Sequence, residues 1–155
     1  MAILSQSVNT IRLLQQSLQL IIKEGACCID ATAGKGRDTV FLCELVKESG
    51  KVLAFDIQPD AVAQTKSLIS ERGYEQIASV ILDSHSNMER YASAETVDCI
   101  MFNFGWLPGG NHKIFTRPDT SIPAIEAGLR LLKPGGVMSL CIYYGGESGY
   151  EERDA

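Results

Sequence analysis

Apolar residues recur at three- and four-residue spacing at Val8, Ile11, Leu14, Leu18 and Ile21. That is the period of a helix with one buried face, so residues 1–22 are expected to form an amphipathic helix lying on a sheet. Asn9, Arg12 and the glutamines fall on its wet side. Downstream the pattern changes to short, unbroken apolar runs separated by longer helical stretches. The runs predict strands at 26–32, 51–57, 78–82, 97–104 and 136–144. The stretches between them predict helices at 37–48, 59–72 and 121–132, with Gly73 closing the second of these as its C-cap. Apolar runs without alternation imply strands covered on both faces, the habit of a parallel sheet. The expected fold is therefore α/β, a doubly wound, mostly parallel sheet with ligands at the carboxyl ends of its strands.

Composition narrows the class. At 155 residues the chain is expected to be one domain, large enough to need no covalent staple. Cys27, Cys28, Cys43, Cys99 and Cys141 are odd in number, lie inside apolar runs and show no paired C-x-x-C spacing. They read as small core residues rather than zinc ligands or a redox pair. No basic leader or apolar run of membrane-spanning length is visible, which predicts a cytoplasmic protein without a membrane partner. The net charge of -5 argues against indiscriminate coating of nucleic acid. A local basic patch is still available, because Lys35 and Arg37 flank one glycine turn while His112, Lys113 and Arg117 follow another glycine-rich stretch.

The chemistry concentrates between Asp30 and Asp56. There an apolar run ends in I-D-A-T-A-G-K-G, a helical segment follows, and K-V-L-A-F-D-I ends in a second acid. A glycine turn after a strand lets backbone approach a ligand, and an acid ending the next strand can accept hydrogen bonds from both ribose hydroxyls. Asp30, four positions before Gly34, would oppose a pyrophosphate and favour a ligand with a cationic head, which points to S-adenosylmethionine rather than NAD. The nicotinamide fingerprint also asks for glycine or alanine at position 39, where this chain has Thr39. Residues 105–119 lack apolar periodicity, and a loop of that length inside a compact domain is usually functional or disordered.

Several motifs then carry a resemblance. D-A-T-A-G-K-G-R-D-T, F-D-I-Q-P-D-A, the acid at Asp83, N-F-G-W-L-P-G-G-N-H and L-L-K-P-G-G resemble a class I S-adenosylmethionine-dependent methyltransferase, and within that class the rRNA methylase, YtqB-like, family. The similarity runs through nearly all of the chain. It implies a Rossmann-like methyltransferase domain over 1–155 that uses S-adenosylmethionine, yields S-adenosylhomocysteine and needs no metal. It further implies action on tRNA, N-methylating the aminomethyl group of 5-aminomethyl-2-thiouridine at the wobble position in the anticodon region. Class I sheets normally add a sixth strand and an antiparallel seventh, whereas this chain stops soon after strand five. The C-terminal strands are therefore expected to lie outside it.

The same reading assigns roles. Asp30, Thr32, Ala33, Gly34 and Gly36 would surround the amino-acid portion of the cofactor. Asp56 and Ile57 would hold the ribose side, and Asp83 with Ser84 the adenine. Asn103, at the end of strand four and counted also among the cofactor-binding residues, would accept a hydrogen bond from the neutral amine and aim it, and His112 would take the departing proton. Phe104, Trp106 and Leu107 would form a wall for a flipped base. Lys113, Arg117, Tyr143 and Tyr144 would contact substrate, and Gly109 and Gly110 would let the loop close. Ribosomal RNA, a small-molecule amine and a non-catalytic RNA-binding module remain alternatives, and a homodimer is compatible with the sequence.

Overall fold

The computed structural model describes residues 3–104, 118–142 and 154, with side chains from residue 11 onward. Five strands form one parallel sheet in the order β3-β2-β1-β4-β5, from β1 Cys27–Asp30, β2 Lys51–Asp56, β3 Ala78–Leu82, β4 Val97–Phe104 and β5 Leu132–Ile142. The helices are α1 Ile3–Ile21, α2 Arg37–Val46, α3 Pro59–Arg72 and α4 Pro118–Leu131. This is a doubly wound parallel sheet, the fold class that the apolar runs predicted. Its switch point falls between β1 and β4, where successive crossovers leave a crevice at the carboxyl ends. Among the described residues no helix is long and apolar enough to cross a membrane.

Two cores sandwich the sheet. Leu18, Val40, Leu42, Val46, Ile69 and Met101 pack on one face, and Ile29, Phe55, Met88, Phe102, Phe104 and Leu131 on the other. Cys28, Cys43 and Cys99 are buried and Cys27 and Cys141 half-buried, all five as free thiols. Continuous burial holds for the central strands, whereas edge strands β3 and β5 leave Leu82 and Leu140 exposed.

Several boundaries differ from the sequence expectation. β1 stops at Asp30 rather than residue 32, because the Thr32 amide turns back to donate to Asp30 Oδ1. α2 ends at Val46 rather than 48, where Lys47 takes a φ of 56° and begins the turn through Gly50. α4 begins at Pro118, three residues early, with proline's fixed φ suiting a first helical turn. β5 begins at Leu132, which pairs with Val97 before an irregularity carries the strand to the Val137–Cys99 pairing. A 3-10 helix at His85–Arg90 has no counterpart in the expectation. On α1, Leu18 is buried and Leu14 packs on the core, but Ile11 and Ile21 are exposed and Gln15 turns inward. The buried stripe is thus narrower and rotated from the predicted one. Gly73 does close α3, at a φ of 75° with its N–H on the Ser70 carbonyl.

Candidate active site

The turn between β1 and α2 is fixed from three directions. Gly34 and Gly36 sit at φ of 54° and 82°, a region that residues with a Cβ rarely adopt. Gly34 N–H donates to Asp56 Oδ2 at 2.9 Å, while its carbonyl accepts from Thr65 Oγ1 of α3 at 3.0 Å. A Cβ on Gly36 would lie 3.1 Å from the Thr65 Cα, so α3 packs directly against the turn. Beneath it, Asp30 is fully buried. Its Oδ2 accepts from Thr39 Oγ1 at 2.6 Å and its Oδ1 from the Thr32 amide at 3.2 Å. Burial, reinforced by the neighbouring Asp38, pushes its pKa up to about 7 despite those two donors.

Asp56 ends β2 as predicted, with Oδ1 accepting from the Gln58 amide at 2.9 Å. One N–H on each oxygen leaves lone pairs for further donors. The adjoining Ile57 is 56% exposed, an apolar side chain at the mouth of a polar turn. Asp83 Oδ1 accepts from the Ser84 amide and Asn87 Nδ2, both at 2.7 Å, and its Oδ2 from the Tyr91 hydroxyl at 2.8 Å. The Asn87 and Tyr91 donors hold its pKa below the usual carboxylate value. Ser84 caps the 3-10 helix by accepting from Ser86 N–H.

Asn103 lies across the switch point from Asp30, and both its ends are tethered. Its amide N–H donates to Thr32 Oγ1 at 2.7 Å, and its side-chain Nδ2 donates to Asp38 Oδ2 at 2.5 Å. Period-2 alternation then turns Phe102 and Phe104 to the opposite face. Phe104 is 1% exposed, its ring 5.2 Å from Phe102 and 6.0 Å from His85. It is therefore a core residue and not the stacking wall expected of it. The alternation that places Asn103 in the crevice was the signal that could have shown this.

Three contributors were not singled out in the sequence. Asp38 holds the Asn103 amide, and Thr65 holds the turn. His85 Nδ1 lies 3.1 Å from the Ala31 carbonyl, with burial lowering the ring's pKa and so favouring the neutral imidazole. Lys35 and Arg37 are exposed on the rim. Trp106, Leu107, Gly109, Gly110, His112, Lys113, Arg117, Tyr143 and Tyr144 lie outside the described residues. Among those described, no group of three or more His, Cys, Asp or Glu is placed to hold a metal ion.

Both the sequence and the fold have relatives among known proteins. The chain is 40% identical over 141 residues to an Arabidopsis thaliana tRNA (mnm(5)s(2)U34)-methyltransferase, chloroplastic, covering 85% of this chain and 52% of that protein. Thus the chain spans about half the length of that curated relative. A shorter match, 32% identical over 77 residues, covers 50% of this chain and 23% of a Polynucleobacter asymbioticus ribosomal RNA small subunit methyltransferase H. Among solved structures, an "rRNA-methylase" from Clostridium thermocellum superposes with a TM-score of 0.89 at 40% identity, covering 93% of this chain and 77% of that one. A Streptococcus mutans methyltransferase solved in complex with SAH gives 0.82 at 34% identity, covering 93% and 76%. The family model described as "Putative rRNA methylase" matches residues 52–155, and on that match and these likenesses the chain belongs to the rRNA methylase family, with a Rossmann-like methyltransferase fold.

Proposed function

We propose that this chain is an S-adenosylmethionine-dependent methyltransferase that N-methylates the aminomethyl group of 5-aminomethyl-2-thiouridine at the wobble position of tRNA. The observation that carries the reading is the pair of acids around one glycine turn, a buried Asp30 beneath it and Asp56 bonded to Gly34 N–H. A buried carboxylate whose pKa is raised to about 7 destabilises the fold at neutral pH, and a neutral residue would fill the same space without that cost. A cationic ligand head above the turn offsets it. Asp56 offers acceptor lone pairs to a ribose diol, and exposed Ile57 offers an apolar ledge to the adenine. Asp83 and Ser84 would border that ring. These residues fit the cofactor, and no metal enters the reading.

When bound, the cofactor supplies a methyl group on a sulfonium, transferred by in-line displacement to a nucleophile. The chain's work is then to hold the acceptor and exclude water. An aminomethyl group is mostly protonated at neutral pH and has no lone pair until a proton leaves. Asn103 Oδ1 accepts a hydrogen bond from the neutral amine and directs its lone pair toward the turn. Asn103 is uncharged, so it does not favour the ammonium form as a carboxylate would. His112 is proposed to take the proton. Trp106 and Leu107 would stack against the base, and Lys113, Arg117, Tyr143 and Tyr144 would contact the RNA beside Lys35 and Arg37. A cytoplasmic location, the anticodon region as the docking point and a homodimeric assembly belong to the same proposal.

The reading is supported by the identity to the Arabidopsis tRNA enzyme. The shorter match to the ribosomal RNA enzymes favours rRNA as the second reading. Incubating the chain and cofactor with undermodified tRNA or with ribosomal RNA, followed by nucleoside mass spectrometry, separates them. The expected product is the methylaminomethyl nucleoside in tRNA. Methyl incorporation confined to rRNA overturns the choice of acceptor, and no affinity for S-adenosylhomocysteine overturns the whole reading.

A further inference from the structure

We infer that Asp38 is the positioning residue for Asn103, fixing its amide so that Oδ1 and not Nδ2 meets the methyl-accepting amine. The inference rests on the acceptor role proposed above for Asn103.

The two ends of an asparagine amide are nearly the same size, and side-chain packing alone does not choose between them. The choice matters chemically. An oxygen facing the amine accepts one of its N–H groups and leaves the nitrogen lone pair free to attack. An NH2 facing the amine donates to that lone pair and occupies it. Asp38 decides between them, because its carboxylate only accepts and it binds Asn103 Nδ2 at 2.5 Å. Thr32 Oγ1 holds the Asn103 backbone N–H, which fixes the main chain from which the amide projects.

Asp38 is itself built into place. It lies in the first turn of α2, where the helix dipole favours a negative charge. Gln15 reaches across from α1 to hydrogen-bond it, and Arg37 contributes a nearby positive charge. From β1 the buried Asp30 faces it as a like charge, and from β5 the Cys141 thiol feels its charge. Cys141 is the register partner of Asn103. Burial outweighs Gln15, Asn103 and Arg37, so the Asp38 pKa lies above the ordinary carboxylate value. Protonation turns one acceptor oxygen into a donor and removes the preference for Nδ2. Turnover should therefore fall as pH drops through that raised pKa.

The test uses the full chain with Asp38→Ala and Asp38→Asn. In the parent, the side-chain amide resonance of Asn103 in a 1H–15N NMR spectrum is expected to shift as pH is lowered, and in Asp38→Asn that titration disappears. With undermodified tRNA, Asp38→Ala should lose about 30- to 100-fold in kcat while the S-adenosylhomocysteine Kd changes less than about threefold. Asp38→Asn keeps an oxygen for Nδ2 and should recover part of the rate. An Asn103 amide indifferent to pH in the parent, or an unchanged kcat in Asp38→Ala, overturns the inference. A titrating amide combined with no methyl transfer to any RNA supports the Asp38–Asn103 pairing and counts against the acceptor reading alone.

Discussion

Gly34 and Asp56 are 22 residues apart in sequence, yet the glycine N–H donates to the aspartate Oδ2 at 2.9 Å, tying the turn after β1 to the end of β2. One carboxylate thus shapes the turn and, in the proposed function, receives the ribose.

Removing that carboxylate should act on affinity more than on stability. Asp56→Ala loses the charge-assisted bonds to the ligand and frees the turn, together about 2 to 4 kcal/mol of binding. That predicts at least a roughly 30-fold rise in the S-adenosylhomocysteine Kd by isothermal titration calorimetry. An affinity within threefold of the parent would remove Asp56 from the cofactor site.

Asp30 should behave in the opposite sense. Its folded-state pKa of about 7 lies above the ordinary 3.8, so the folded chain holds a proton that the unfolded chain has released between those values. Asp30's contribution to stability is therefore greatest at low pH and falls as pH rises from about 4 to about 7, by up to about 4 kcal/mol. Asp30→Asn keeps an oxygen for the Thr32 amide and an NH2 that can donate to Thr39 Oγ1. Without ligand, its Tm should exceed the parent's by several degrees at pH 8, at about 3 °C per kcal/mol, and the gap should narrow as pH falls and close below about pH 4. Affinity for S-adenosylmethionine should fall in the same variant. Equal melting curves at both pH values would contradict the buried charge.

Gly36 tests the scaffold. Gly36→Ala forces a φ of 82° on a residue with a Cβ and places that carbon 3.1 Å from the Thr65 backbone. Strain and crowding together should cost about 1 to 3 kcal/mol, a fall of roughly 3 to 10 °C in Tm. A thermal melt within 1 °C of the parent would mean that α3 yields without cost.

What the sequence disclosed followed the range over which each feature is encoded. The parallel sheet emerged because its buried strands are apolar at nearly every position, and Gly73 and Pro59 mark one helix in plain view. Asp56 was legible because an acid ends an apolar run. Asp38 and Thr65 were not, since their partners lie 65 and 31 residues away and no local period records such pairings. The 3-10 helix escaped because six residues with two buried side chains, His85 and Met88, leave no periodic trace. Gln15 escaped for a related reason. A helical wheel assigns glutamine to water, and only the half-buried Asp38 opposite explains its inward turn.

Asn103→Asp tests the crevice most sharply. The substitution replaces an amide donor with a second carboxylate against Asp38 Oδ2, where the parent has a 2.5 Å hydrogen bond. Two acids that close cannot both ionise, so the pair shares a proton and one of its apparent pKa values rises well above 4. The folded state then binds a proton that the unfolded state lacks at neutral pH. The variant's stability deficit should therefore be small near pH 5 and grow as pH rises through that raised value. Catalysis should change in parallel. Above that pKa the new charge favours the ammonium form of the acceptor, and below it the shared proton occupies the oxygen that should accept from the amine. The expected result is a loss of about 100-fold in kcat at pH 7, with the acidic limb of the pH–rate profile moved to higher pH. A profile superimposable on the parent's, together with an unaltered pH dependence of Tm, would show that position 103 neither meets the amine nor rests on Asp38.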